Sequence, residues 1–199
     1  MDAMTLGNKY NSDEVRAQWD KLAEDVKICR KCQLCDSRRN VVIGRGGADP
    51  KVLFVGEGPG ESEDIKGLPF VGQAGKLLDY ALNGLMFDEG SYYIANILKC
   101  RPPGNRTPSD FEAEMCLPFL RRQMLLLKPV IIVCLGGVAM KYIVSREETI
   151  TRARGRWIDK KGWLIMPTFH PAALLRDESK KEEVWQDLKK VKLKLDELQ

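Results

Sequence analysis

The chain has 199 residues, of which 44% are hydrophobic and 30% are charged, and its formal net charge is +4 at pH 7. These values predict a single globular domain over residues 1–199, with a flexible end at residues 1–10. The mild positive charge permits contact with a polyanion without requiring it. No apolar run reaches membrane-spanning length and the N-terminus lacks a signal-peptide layout, so we expect a cytoplasmic protein with no membrane partner. We also expect a monomer.

Five segments carry apolar residues at helical spacing and predict helices. They are residues 11–27, which Asn11 or Ser12 can cap, 74–86, 108–127, 138–144 and 179–198. Core strands are predicted at residues 51–55, 91–99, 129–137 and in the second half of a hairpin-like pair within 155–171. The alternation predicts an α/β three-layer sandwich, in which helices flank both faces of a four-stranded, mainly parallel sheet.

In such sheets ligands bind beyond the carboxyl ends of the strands, and one of these ends carries the glycine-rich turn VGEGPG at residues 55–60. Its bare backbone suits close approach of a ligand, although a simple tight turn explains the glycines equally well. The turn lacks the lysine and hydroxyl of a Walker loop. Glu57 and Pro59 interrupt a dinucleotide fingerprint, and no helix is predicted directly behind the turn. The nearby acids disfavour phosphate and suit water activation or stabilisation of positive charge.

The chain has six cysteines, which in a reducing compartment indicates metal or cluster ligation as an alternative to simple burial. The candidate ligands are Cys29 and Cys32 in a CxxC knuckle, with Cys100 and Cys116 further along the chain. Four thiolates from distant segments fit either tetrahedral zinc or an iron–sulfur cluster. Cys35 is an extra thiol of the knuckle loop, and Cys134 is expected to be a buried strand residue.

Other candidates stand at the predicted strand ends. The only histidine of the chain, His170, is held between prolines, and Asn96 offers both a donor and an acceptor for a base edge. Phe70 is either core or a stacking platform. The loop "ALLR" after His170 offers apolar residues and a cation that can replace a displaced base, or its leucines begin a helix and pack inward. The basic residues Arg38, Arg39, Arg45, Lys99, Arg101 and Arg106 predict a phosphate-tracking patch or merely a solvated face.

Together, these motifs resemble the family 4 uracil-DNA glycosylases, the iron–sulfur-containing branch of that superfamily. The resemblance spans residues 29–191 and includes "CRKCQL", "FVGEGPGESEDIKGLPFVGQAGKLLD", "YIANILKCRPPGNRTP", "LGGVA" and "PTFHPAALLR". It implies a four-stranded parallel sheet between helices and a monofunctional enzyme of base excision repair. Such an enzyme flips deoxyuridine out of single- or double-stranded DNA and hydrolyses its N-glycosidic bond. Uracil is released and an abasic site remains.

The resemblance also implies roles for individual residues. Glu57 matches the principal catalytic carboxylate, Glu63 a second acid beside the base, and Asn105 another site residue. His170 matches the histidine that stabilises charge on the departing uracil. The substrate-binding residues implied are Gly58, which supplies an amide, Phe70, which stacks on uracil, Asn96, which reads its polar edge, and Leu174, Leu175 and Arg176, which form the insertion wedge. Cys29, Cys32, Cys100 and Cys116 match the ligands of a structural 4Fe–4S cluster, and no nucleotide cofactor is expected.

Two other classes of protein remain as alternatives. One is a non-catalytic DNA-binding domain that contains zinc or a cluster, and such a module would have little use for Glu57, Asn96 and His170 around one pocket. The other is a nucleotide-binding α/β enzyme, against which the acidic loop and the missing phosphate-binding lysine both argue. A uracil-containing oligonucleotide distinguishes all three classes.

Overall fold

The structure is a computed structural model that describes residues 13–198. The predicted cap at Asn11 or Ser12, the predicted flexible end at residues 1–10 and the last residue, Gln199, lie outside the described residues. None of the helices in the described part of the chain is long and apolar enough to cross a membrane.

The strands form one mixed sheet with the order β1-β3-β2-β4-β6-β5. They are β1 (Arg45–Gly46), β2 (Val52–Gly56), β3 (Tyr92–Asn96), β4 (Ile131–Leu135), β5 (Ile158–Lys160) and β6 (Trp163–Thr168). The four central strands are parallel, and β1 and β5 pair antiparallel at the two edges. The predicted α/β class is confirmed, but the predicted number of four strands is wrong, because the sheet has six. Of the two edge strands, β5 lies within the hairpin-like pair predicted at residues 155–171, whereas β1 has only two residues and is too short to show an apolar period.

The helices are α1 (Asp13–Lys27), α2 (Leu34–Ser37), α3 (Glu61–Lys66), α4 (Gln73–Gly84), α5 (Asp110–Leu127), α6 (Gly137–Ile143), α7 (Ile150–Ala153), α8 (Pro171–Leu174) and α9 (Lys180–Glu197). The five longest of these, α1, α4, α5, α6 and α9, are the predicted ones. The absence of a helix behind the glycine turn is a wrong prediction, since α3 begins at Glu61. Its first turn is acidic, which suits the positive end of a helix dipole.

The alternation of side chains along the central strands separates two apolar cores. Leu53 and Val55 of β2 face a core that α1, α5 and α6 cover, whereas Val52 and Phe54 face a core under α4, α8 and α9. Because both faces of the sheet are covered, ligands have access only at its ends. The carboxyl ends of β2, β3 and β6 carry the glycine turn, Asn96 and His170, as predicted.

We expect Gly75→Ala to destabilise the protein, because a Cβ at this position of α4 would overlap the carbonyl group of Phe70. Relief of such a backbone contact requires a shift that typically costs about 1–3 kcal/mol. Urea titration measures the change in the free energy of unfolding. Gly137→Ala is the matched control, because a Cβ there meets nothing within 4 Å. Equal stability of the two variants would contradict the packing argument.

Candidate active site

A cleft of about 600 Å³ opens at the carboxyl edge of the sheet. This volume lies within the range of ligand pockets, roughly 300–1,000 Å³. Its lining includes all but one of the predicted catalytic and substrate-binding residues: Glu57, Gly58, Glu63, Phe70, Asn96, Asn105, His170, Leu175 and Arg176. The glycine turn, the Asn96 amide and the imidazole therefore share one cleft.

The amide of Asn96 faces the cleft with an unused acceptor. Its side chain is 2% exposed, and within residues 13–198 its buried Oδ1 has no hydrogen-bond partner. The amide lies against Gly56, where an added Cβ would overlap Oδ1. Buried polar atoms are nearly always paired, so this oxygen is placed to accept a hydrogen bond from a ligand. Gly56 was not among the predicted site residues, although its place at a strand end within a glycine-rich turn was a signal.

Phe70 forms one wall of the cleft with an uncommon backbone conformation. Its φ is 53°, in the left-handed region that non-glycine residues seldom adopt. The ring lies over Gly56, where an added Cβ would come within 2.7 Å of Cζ, and its centroid is 5.5 Å from that of the His170 ring. The two rings are tilted by 31°. Phe70 is buried and also part of the core, so it belongs both to the core and to the site.

The carboxylate of Glu63 holds the loop that carries Phe70. Its Oε1 accepts hydrogen bonds from the main-chain amides of Val71 at 2.9 Å and Gly72 at 2.8 Å, and its Oε2 accepts from Gly60 at 3.1 Å. These bonds join the start of α3 to the start of α4. Glu63 therefore fixes the position of the Phe70 loop through its backbone, a role that the sequence did not indicate.

His170 is fixed in one tautomer by the start of α8. Its Nδ1 accepts a hydrogen bond from the amide of Ala172 at 3.1 Å, which leaves the proton of the neutral ring on Nε2. Burial, with a smaller contribution from Arg176, lowers the pKa of His170 to about 4, and Glu63 acts in the opposite direction. At neutral pH the ring is therefore an uncharged donor that faces the cleft.

Glu57 follows β2 and is half-buried in the glycine turn. Burial raises the pKa of its carboxyl group above the ordinary value, and no charged neighbour contributes. No hydrogen bond or ion pair to this carboxylate occurs among the residues that the structure describes. Glu57 is therefore free to orient a water molecule or to face a developing positive charge.

The predicted wedge residues and Asn105 lie at or near the rim of the cleft, and one of them is not exposed as predicted. Leu174 was predicted to be a wedge residue, but it is 7% exposed and packs in the core as the last residue of α8. Leu175 is 48% exposed, and Arg176 beside it is exposed as well. Asn105 is exposed, and its Oδ1 accepts a hydrogen bond from Arg101 Nε at 2.7 Å.

The prediction that Lys99 and Arg45 belong to a phosphate-tracking patch is wrong. Lys99 is 1% exposed, and burial lowers its pKa to about 8, while the thiols of Cys116 and Cys100 oppose that shift. Arg45 donates to the Pro69 carbonyl oxygen at 3.0 Å from Nε and thereby supports the Phe70 loop. These side chains hold the site in place from within instead of tracking a backbone on the surface.

The four predicted cysteine ligands line one small cavity, and Cys35 lines it too. Within residues 13–198 no group of three or more His, Cys, Asp or Glu side chains is placed to hold a single metal ion. Cationic and main-chain donors nevertheless point at two of the sulfurs. Arg38 Nη1 lies 3.2 Å from Cys100 Sγ, and the Lys99 amide lies 3.2 Å from Cys116 Sγ.

This donor set fits a group larger than one ion. Four cysteine thiols around a common cavity, with N–H donors on two of the sulfurs, match the ligand set that holds iron–sulfur clusters in proteins. Without such a group the Cys116 thiol stays protonated at neutral pH, since burial raises its pKa to about 12. Cys134 lies apart from this cavity, fully buried in β4, as predicted.

The chain is similar to several curated proteins. A curated type-4 uracil-DNA glycosylase of Thermotoga maritima is 44% identical over 178 residues, which cover 86% of this chain and 91% of that protein. The type-4 uracil-DNA glycosylase of Sulfurisphaera tokodaii is 41% identical, with 87% and 83% covered, and that of Archaeoglobus fulgidus is 39% identical, with 86% and 90% covered. The family model of the uracil DNA glycosylase superfamily matches residues 43–189. The chain belongs to the uracil DNA glycosylase superfamily.

Proposed function

We propose that this protein excises uracil from DNA as a monofunctional glycosylase of base excision repair. It works as one domain on deoxyuridine that has left the base stack, since a stacked base hides its reactive atoms. The observation that carries the proposal is the unpartnered Oδ1 of Asn96, buried opposite Gly56 and beside the Phe70 ring. The names of the curated relatives support the same activity.

Uracil matches the polarity of this cleft. Its N3–H donates to Asn96 Oδ1, the amide nitrogen of Asn96 donates to uracil O4, and the Phe70 ring stacks on the base. Cytosine presents an acceptor at N3 and a donor at its amino group, so both contacts would be mismatched. A mismatch that leaves buried polar groups unpaired discriminates strongly between substrates.

The reaction breaks the bond between C1′ of the sugar and N1 of uracil, and the bonding electron pair leaves with the base. His170 donates from Nε2 to uracil O2 and stabilises the departing anion, with help from the Gly58 amide. Glu57 faces the oxocarbenium-like sugar and orients water. The water oxygen bonds to C1′ and gives its proton to the Glu57 carboxylate, which leaves an abasic site.

The remaining predicted residues position the substrate. Glu63 keeps Phe70 in place through the loop amides. Leu175 and Arg176 stand exposed at the rim, where an apolar wedge beside a cation fills the gap left by the flipped nucleotide and contacts phosphate. Asn105 supports the neighbouring loop through Arg101.

We further propose that Cys29, Cys32, Cys100 and Cys116 hold a 4Fe–4S cluster. Arg38 and the Lys99 amide offset the charge of its thiolates. When bound, the group supplies a cross-link between the segment after α1, the loop after β3 and α5. Its role is structural, because hydrolysis of a glycosidic bond transfers no electrons.

The protein should release uracil from a uracil-containing oligonucleotide, so that hot alkali cleaves the strand at uracil and leaves it intact at thymine. Glu57→Gln should lower kcat/KM by roughly 10²–10⁴-fold, the usual size of a lost acid–base contact. The acidic limb of the wild-type pH profile should disappear with it. In the wild type that limb lies above the ordinary carboxyl range, since burial raises the pKa of Glu57.

Glu61→Gln is the control for this change, because the Glu61 carboxylate lies at the edge of the same cleft with 66% exposure. It should keep activity within about threefold, which is under 1 kcal/mol. Binding of the oligonucleotide without cleavage by the wild type would favour a non-catalytic DNA-binding module. A wild-type rate in Glu57→Gln would remove that residue from the mechanism.

His170 should remain neutral down to about pH 5, because burial lowers its pKa to about 4. The protein has a single histidine, so nitrogen-15 NMR of histidine-labelled protein without a histidine tag reports the tautomer of this ring directly. The proton should reside on Nε2, and the same ring in urea should titrate near 6.5. Since the folded pKa is the lower one, stability should fall as the pH drops below about 6.5. Titration of the folded protein near 6.5 would refute the neutral donor.

Cys100→Ala should lose the iron and the visible absorption of the purified protein. Loss of a cross-link costs about 2–5 kcal/mol, which corresponds to a fall in Tm of roughly 4–20 °C in a domain of this size. Cys134→Ala is the control, because that cysteine is buried in β4 away from the cavity. It should keep the full iron content. A colourless Cys100→Ala variant with unchanged Tm would contradict a structural cluster.

A further inference from the structure

Lys99 is a buried cation between the cleft and the cysteine cavity. Its Nζ donates to the Asn96 main-chain oxygen at 2.8 Å, to Gln123 Oε1 at 2.6 Å and to the Ile43 main-chain oxygen at 3.4 Å. Lysine is almost never buried completely unless it is paired. Here all three partners are neutral oxygens, so burial of the ammonium lowers the stability of the fold. A role other than stability would explain why a lysine occupies this position.

The main chain of the same residue reaches the cysteine cavity. The Lys99 amide lies 3.2 Å from Cys116 Sγ, and the next residue is Cys100. On the other side, the amide of Leu98 donates to the Glu57 carbonyl oxygen at 3.0 Å. The short segment from Asn96 to Cys100 therefore joins the cleft to the cavity, and Lys99 is its most heavily bonded member.

We propose that Lys99 is a positioning residue for base recognition. By holding the main-chain oxygen of Asn96, it fixes the amide side chain against Gly56 with Oδ1 toward the cleft. This inference rests on the proposed reading of uracil by Asn96. An ammonium suits the task because it donates in three directions, whereas an apolar side chain would release the carboxyl end of β3 and leave buried oxygens unpaired.

A merely structural role would have different consequences. Gln123 belongs to the same buried network and bonds both Lys99 and the Ile43 oxygen, but none of the hydrogen bonds within residues 13–198 joins its side chain to Asn96. If the network only stabilised the fold, removal of either residue would lower Tm and leave base recognition intact. If Lys99 positions Asn96, the loss of recognition should be specific to Lys99.

The test compares cluster-loaded Lys99→Met with the control Gln123→Met. Lys99→Met should keep its iron content and visible absorption, yet its kcat/KM on uracil-containing DNA should fall by about 10–100-fold, the effect of a misplacement near 1 Å. It should also lose the rise in Tm that free uracil gives the wild type. Gln123→Met should retain that rise and act within about fivefold of the wild type, an interval near 1 kcal/mol. Equal losses in both variants would overturn the proposal.

A double-mutant cycle identifies the residue through which Lys99 acts. In an Asn96→Ala background, Lys99→Met should cause no further loss of single-turnover rate, because the group that it positions is gone. Independent, multiplicative losses would refute the inference. If Lys99→Met is insoluble, Lys99→Gln, which keeps an N–H donor, replaces it in the same cycle. If Asn96→Ala lowers the single-turnover rate and the Lys99 variant keeps the wild-type rate, only this inference is refuted. If Asn96→Ala itself keeps the wild-type rate, the proposed function is refuted.

Discussion

The parallel pairing of β2 with β3 is the constraint on which the site depends. The pairing continues beyond the strands, where the amides of Ile97 and Leu98 each donate at 3.0 Å to the carbonyl oxygens of Gly56 and Glu57. The main chain therefore places Glu57, the proposed catalytic carboxylate, next to Asn96, the proposed base-reading residue. Gly56 allows this approach, because a Cβ there would overlap both the Asn96 amide and the Phe70 ring. The main-chain hydrogen bonds between β2 and β3, more than any single side-chain contact, thus align Glu57, Asn96 and Phe70.

Burial then sets the protonation states that the proposed chemistry needs. Desolvation raises the pKa of Glu57 and lowers that of His170, so both groups are held closer to their neutral forms. For the imidazole this yields an uncharged donor whose tautomer the Ala172 amide selects. For the carboxyl group, which no cation accompanies, the ionised form is destabilised until a positive charge develops nearby. In the proposed reaction the oxocarbenium-like sugar supplies that charge. The ionised Glu57 carboxylate is therefore stabilised most in the transition state, while the glycosidic bond is breaking.

The sequence predicted the long helices, the central strands and the edge of the sheet where the site lies, because these follow from apolar period and strand order. It did not predict β1, which is too short to show a period, or α3, whose acidic residues looked like a loop. Lys99 was misassigned to the surface because composition shows a charge and not its depth. Leu174 and Leu175 are neighbours of the same type, and only the position of α8 buries one and exposes the other. Sequence spacing thus located the site, whereas burial within it required coordinates.

The short helix α8 connects His170 in the cleft to the exposed Leu175 at its rim. The Ala172 amide of α8 holds His170 in the donor tautomer, the last residue Leu174 anchors the helix in the core, and Leu175 follows at the rim. A helix of one turn is not stable by itself, so the anchor must supply its stability. Movement of the rim on contact with DNA would therefore be transmitted to the imidazole through one rigid turn. Leu174, which the sequence suggested as a wedge residue, instead anchors the turn that connects His170 to the exposed Leu175.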